Sequence, residues 1–131
     1  MDIQHTAAAI IPSADLDASQ KFYERFGFKA TAVYPHQGYR ILHDAMQASI
    51  HLTFVEPKWV SPETNAHGIY LYTKDVKTFA KEFGQIAEVK PWNLTEFAIS
   101  DPSGVLVRVG WPTDALPASG GAWALWPKKR T

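Results

Sequence analysis

The chain has 131 residues, 46% of them hydrophobic and 20% charged, enough for one domain with its own core and no need of covalent staples. Thirteen basic and thirteen acidic side chains cancel, which leaves no long-range field to gather a nucleic acid backbone or an anionic membrane. Zero cysteines exclude disulfides and thiolate metal centres.

The opening Met1-Asp2-Ile3-Gln4-His5-Thr6 carries no basic stretch, and its apolar run stops at Pro12, so neither a signal peptide nor a membrane span is expected. A cytoplasmic location is the default. The basic run Lys128-Lys129-Arg130 reads as a solvated terminus.

Ala7-Ala8-Ala9-Ile10-Ile11 reads as a short buried strand ended by a proline. A helix follows, with Asp15 or Asp17 as cap, Ala18, Phe22, Tyr23 and Phe26 on one stripe, and Gly27 as the left-handed stop. Three strands are predicted next, over 28–34, 39–44 and 48–55, which completes a βαβββ unit. After a polar, proline-containing segment the pattern recurs: a strand over 67–73, a helix capped by Asp75 with Val76, Phe79, Ala80 and Phe83 on its stripe and Gly84 at its end, then strands over 86–89, 94–100 and 105–111.

The repeat is visible in the residues, since Asp15-Leu16 through Phe26-Gly27 parallels Asp75-Val76 through Phe83-Gly84. Each module, a four-stranded sheet with one helix on it, leaves a second face open. Pairing two such modules closes a curved mixed sheet around a cleft, with the helices outside, in an α+β fold. Residues 1–111 form the expected single domain, with module one at 5–55 and module two at 67–111. The tail 112–131 is rich in Pro, Gly and Ala yet carries Trp123, Leu125 and Trp126.

Alternation sorts the strand residues by face. In 50–55, Ile50, Leu52 and Phe54 are expected against the helix, leaving His51, Thr53 and Val55 on the open face. In the last strand Val105, Val107 and Val109 belong to the core, so Leu106 and Arg108 point into the cleft. His67 is placed toward the cleft as well. Two readings of His51 and His67 stand side by side: a metal pair, since imidazole is the commonest ligand, or two pocket-lining histidines. A catalytic divalent site wants three protein ligands, usually with a carboxylate, and Arg108 would repel a cation beside it. Arg108 itself reads either as a surface or interface residue or as a partner for an anionic or carbonyl-rich ligand. His5, His36 and His43 read as ordinary positions. Trp92 follows Pro91 at a loop-strand junction, where the indole either stacks on a planar ligand or fills core or rim. Glu96 with Asp101 suggests a carboxylate pair, but Asp101 opens an Asp-Pro-Ser-Gly turn and is assigned to structure.

Several stretches resemble the vicinal-oxygen-chelate superfamily, the glyoxalase/bleomycin-resistance/dioxygenase fold: Ile11-Pro12-Ser13-Ala14-Asp15-Leu16, Phe26-Gly27-Phe28, Tyr70-Leu71-Tyr72-Thr73-Lys74-Asp75-Val76, and Pro91-Trp92 through Gly104. The resemblance implies paired βαβββ modules and a homodimer with clefts between subunits. Its metal enzymes would place a ligand at His67, which matches, but also at Ala8 and Arg108, which do not; His51 lies near a further ligand position. The chain is more similar to the metal-free bleomycin-resistance branch, around Pro-Trp, Glu-Phe-Ala, Asp-Pro-x-Gly and Asn65. That branch implies non-catalytic antibiotic sequestration in a dimer cleft, no cofactor, Trp92 as the stacking residue, and Arg40, His51, His67 and Arg108 along the cleft. Thr53 and Glu96 complete the expected ligand-binding set. The alternative is a divalent-metal enzyme of glyoxalase, dioxygenase or thiol-transferase type using His51 and His67. The Trp-Gly pair usual in that branch is Trp92-Asn93 here, and the usual Gly-Asn after the turn is Gly104-Val105.

Overall fold

The computed structural model describes residues 5–46 and 48–116; the tail residues Trp123, Leu125, Trp126 and Lys128-Lys129-Arg130 lie outside that range. The first module consists of β1 (Ala9–Ser13), α1 (Leu16–Glu24), β2 (Lys29–Tyr34), β3 (Tyr39–His43) and β4 (Ser49–Phe54). The second consists of β5 (Gly68–Tyr72), α2 (Val76–Glu82), β6 (Glu88–Lys90), β7 (Leu94–Ser100) and β8 (Leu106–Pro112). Each module makes its own four-stranded sheet, ordered β1-β4-β3-β2 and β5-β8-β7-β6, so the predicted repeat is an identity of topology. Among the described residues, two sheets and two α-helices give the expected α+β fold. The described residues divide into two compact units, the first running to Ile69 and including Ser100–Leu106, the second comprising Tyr70–Ile99 and the chain from Val107.

In the first unit, β1 lies parallel to β4 from Ala9↔Ile50 to Ser13↔Phe54. The strand therefore starts later than the sequence suggests and carries Pro12 instead of ending before it. The position of β1 at the sheet edge is what tolerates a residue without an N–H. Asp15 caps α1: its backbone is extended and its Oδ1 accepts the Ala18 N–H at 3.0 Å, a contact that contributes about 1 kcal/mol. Gly27 ends the helix at φ +95°. Tyr23, Phe28, Leu42, Ile50 and Leu52 form the core of this unit with Ile11.

Phe54, expected in that core, is instead half exposed. It sits at the end of β4, where its N–H donates to Gly38 O at 2.7 Å and its Cβ lies 2.8 Å from where a Gly38 side chain would begin. The Asp101 turn belongs to this unit. Asp101 Oδ1 accepts the N–H groups of Ser103 at 2.8 Å and Val105 at 2.9 Å, while Oδ2 accepts from Tyr23 Oη at 2.7 Å. Asp101 is thus structural, as its position in the turn implies. Burial pushes its carboxyl above the ordinary range despite those donors, and burial with the adjacent carboxylate pushes the Tyr23 phenol up.

In the second unit the core gathers Val76, Ala80, Phe97, Val107, Val109 and Trp111. Phe83 of the α2 terminus faces Phe97 of β7 with ring centroids 6.3 Å apart. Asp75, expected as a side-chain cap, makes no such bond; the Asp75 N–H donates to Thr73 Oγ1 at 3.1 Å instead. At φ −88° and ψ +24° its backbone has already left the extended conformation in which a cap side chain reaches back over the first turn.

A buried carboxylate with three donors

The candidate site lies in the second unit, on the side of its sheet away from Phe97. Along β7 the side chains alternate, so Phe97 turns to α2 and Glu96 to the opposite face; along β8, Val107 and Val109 are buried and Arg108 points out. Glu96 is 2% exposed, which would be costly for a charge without partners. It has three. Oε1 accepts from Tyr70 Oη and from Trp92 Nε1, each at 3.1 Å, and Oε2 accepts from Arg108 Nη1 at 3.0 Å. Burial pushes the Glu96 carboxyl up, but the hydrogen bonds from Trp92, Arg108 and Tyr70 and the Arg108 charge outweigh it, and the net displacement is downward. The Tyr70 phenol is pushed the other way, by burial and by the Glu96 charge.

Local backbone geometry sets up this network. Asn93 holds the left-handed conformation at φ +62°, the place where a Trp-Gly pair would have glycine, and so turns the chain between Trp92 and β7. Gly110 on β8 leaves room for the tyrosine: a Cβ there would overlap Tyr70 Oη and come within 2.9 Å of Glu96 Cβ. Tyr70 and Tyr72 lie side by side with centroids 4.4 Å apart. Trp92 keeps 59% of its surface exposed even though its N–H is engaged, so one edge of the indole is fixed and the ring remains open.

The chemistry follows from the inventory. An ionised carboxylate that already accepts three hydrogen bonds is a poor proton acceptor, and its depressed pKa moves it further from the range a general base needs near neutrality. The arrangement orients rings and a guanidinium. It does not prepare a proton transfer.

Among the predicted site residues, Trp92, Glu96 and Arg108 are brought together, and Tyr70 joins them. His51 and Thr53 are in the other unit, on β4, where His51 Nδ1 lies 2.7 Å from Tyr39 Oη. A recess of about 600 Å³ beside His51 is lined also by Thr6, His43, Asp44 and Ser49. His67 is exposed just before β5, with Nδ1 3.0 Å from Asn65 Oδ1. Arg40, expected along a cleft, turns instead to α1: Nη2 pairs with Asp17 at 2.8 Å and Nη1 donates to Gln20 Oε1 at 2.9 Å. It shares its side of β3 with the fully buried Leu42, so alternation puts it on the helix face. Tyr70 was missed because Tyr70 and Tyr72 alternate with Ile69 and Leu71, and either pair suits a core.

These residues do not fit a divalent metal. Among the described residues no group of three or more His, Asp or Glu side chains is placed to hold one. Arg108, where a carboxylate ligand was sought, is a permanent cation already tied to Glu96. No helix among the described residues is long and apolar enough to cross a membrane.

Comparison with known proteins gives a consistent picture. The chain is similar to a bleomycin-binding protein in a crystal structure with bleomycin, at 22% identity and a TM-score of 0.71, over 82% of this chain and 98% of that one. An antibiotic-binding protein, TnmS3 from Streptomyces sp. CB03234, matches at 25% identity and a TM-score of 0.61, over 86% and 98%. A lactoylglutathione lyase from Agrobacterium tumefaciens shares the fold too, at 22% identity and a TM-score of 0.59, over 84% and 95%. No curated protein matches the chain. The family model matching residues 2–109 is that of the Glyoxalase/Bleomycin resistance protein/Dioxygenase superfamily, and the chain belongs to that family.

Proposed function

We propose that this protein is a non-catalytic binder that sequesters a small antibiotic-like molecule, of bleomycin type, in a cleft formed by a cytoplasmic homodimer, without a metal or other cofactor. The observation that carries this reading is the setting of Glu96: buried and held by three donors, Tyr70, Trp92 and Arg108. In a family that includes both enzymes and binders, a site whose carboxylate is locked and whose candidate ligand position holds arginine suits recognition better than turnover. The likeness to bleomycin-binding and antibiotic-binding proteins supports the choice of ligand class.

Two measurements test it. Protein purified without chelators should contain no stoichiometric metal, and stoichiometric metal lost on His67→Ala would overturn the reading in favour of a metal-dependent enzyme. Bleomycin should quench tryptophan fluorescence, and Trp92→Ala should weaken its binding by about 1 kcal/mol, the scale of one aromatic stack. Unchanged affinity in that variant would remove Trp92 from the site.

A further inference from the structure

The Glu96–Arg108 pair is asymmetric toward solvent. The Glu96 side chain is 2% exposed and that of Arg108 is 47% exposed, so the sheet buries the anion and presents the cation. Glu96 accepts from Nη1 alone, which uses one of the five guanidinium N–H groups. Arg108 opens onto a recess of about 210 Å³ in the second unit, shared with Lys90, Glu88, Glu96, Ile86 and Ala98. Lys90 is the other cation there. Its Nζ lies 3.4 Å from Glu88 Oε1 in a rim pair whose carboxylate is mostly exposed, and such pairs hold their charges only weakly. The volume is below the roughly 300 Å³ at which sites enclosing a whole drug-sized molecule begin. It suits one end of a ligand. Trp92, whose N–H bonds to the same Glu96, supplies an exposed ring for the rest.

We infer that the recess under Arg108 and Lys90 takes the carboxylate of a planar aromatic ligand, with the ring lying toward Trp92. The inference rests on the binding reading above and narrows it. It says which end of the ligand enters the recess, an aromatic acid end, because a cationic group placed there would face Arg108 directly. A carboxylate meets the free edge of the guanidinium, a planar fork matched to two oxygens, and Glu96 holds that fork in place from behind.

The test is a titration of the full chain with three probes of one shape: 2-naphthoate, 2-naphthamide and 2-naphthylmethylammonium, read by calorimetry and by tryptophan fluorescence, with bleomycin alongside. Naphthoate should bind about tenfold more tightly than the amide, the scale of one charge-assisted bond, and the cation should bind most weakly. Lys90→Gln, a rim change that leaves the core alone, should reduce the naphthoate preference, and Arg108→Gln should abolish it. Because Arg108→Gln leaves Glu96 without its cation, the double variant Glu96→Gln/Arg108→Gln, which keeps a neutral hydrogen-bonding pair, should show the same loss of preference in a protein that still melts cooperatively. Equal binding of the three probes, or a naphthoate preference that survives both arginine variants, would overturn the inference. Bleomycin binding with no naphthoate binding would overturn it and leave the sequestration reading standing; absence of binding by all four would remove both.

Discussion

The two modules share a strand order but turn an arginine of their sheets to opposite sides, Arg40 toward α1 and Arg108 to the face away from α2. In the first unit several polar contacts lie toward α1, where Ser13 Oγ sits 2.7 Å from Ser19 Oγ, Tyr23 donates to Asp101, and Arg40 reaches Asp17 and Gln20, while His51 and Tyr39 meet on the other face of the sheet. In module two the helix side is mostly apolar, and the charged pair with its two aromatic donors stands on the other face. A repeated scaffold thus lets one copy use polar contacts to fix its helix and the other use them to shape a surface. Polar networks that pin a helix are replaceable by packing, whereas a network that orients an exposed tryptophan and arginine has no apolar substitute.

The sharpest way to break the comparison is Glu96→Ala. It leaves Tyr70 and Trp92 without their acceptor and Arg108 without its counter-charge, and we expect a loss of about 2–4 kcal/mol in urea unfolding, at the lower end because Arg108 can turn to water. Bleomycin binding should fall with it, since Trp92 is no longer held. A loss under about 0.5 kcal/mol would mean that the network is not formed in solution. Gly110→Ala attacks the same group sterically. Its new methyl displaces Tyr70 Oη from Glu96, at an expected cost of about 1–3 kcal/mol, and Tyr70→Phe should recover part of that loss if the overlap is the cause.

Acid unfolding separates the two units by sign, since Asp101 belongs to the first and Glu96 to the second. The folded pKa of Glu96 lies below the ordinary 4.5, so its stabilising contribution is fully present above that value and is lost as the pH falls through the folded value. The folded pKa of Asp101 lies above the ordinary 3.8, so its contribution is present below 3.8 and is lost as the pH rises through the folded value. Urea midpoints measured through the acid range should therefore fall less steeply in Glu96→Gln than in the unsubstituted protein. In Asp101→Asn they should fall more steeply. Two variants moving in the same direction would contradict the opposed signs.

Much of the fold is legible in the sequence because its cues are local. β7 matches its predicted span of 94–100, bounded by the turn at Trp92-Asn93 and by the Asp-Pro-Ser-Gly turn, and Gly27 and Gly84 mark the two helix ends as expected. β1 shifts by two residues because only the sheet order, a long-range property, reveals that Pro12 lies on an edge. The site is less legible for the same reason. Tyr70 and Glu96 are 26 residues apart and Arg108 lies 12 beyond Glu96, so no spacing rule joins them. One signal was present: a glutamate inside an otherwise apolar strand needs partners if the strand is buried, and Arg108 on a neighbouring strand was the available cation.

The two arginines give the smallest effect and the finest control. Arg40 on β3 and Arg108 on β8 both meet a carboxylate, yet Asp17 is largely exposed where Glu96 is buried. An exposed partner holds little net energy, because water screens the pair and already solvates the carboxylate. Arg40→Met, which keeps the aliphatic stem against the sheet, should change stability by less than about 1 kcal/mol and leave the affinities for bleomycin and 2-naphthoate unchanged. Loss of binding in this variant as large as that in Arg108→Gln would show that Arg40 reaches ligand after all, and that its hold on Asp17 and Gln20 yields when a ligand arrives. Retained binding would assign recognition to the arginine whose partner is buried, because only that partner keeps the guanidinium in one orientation before the ligand is there.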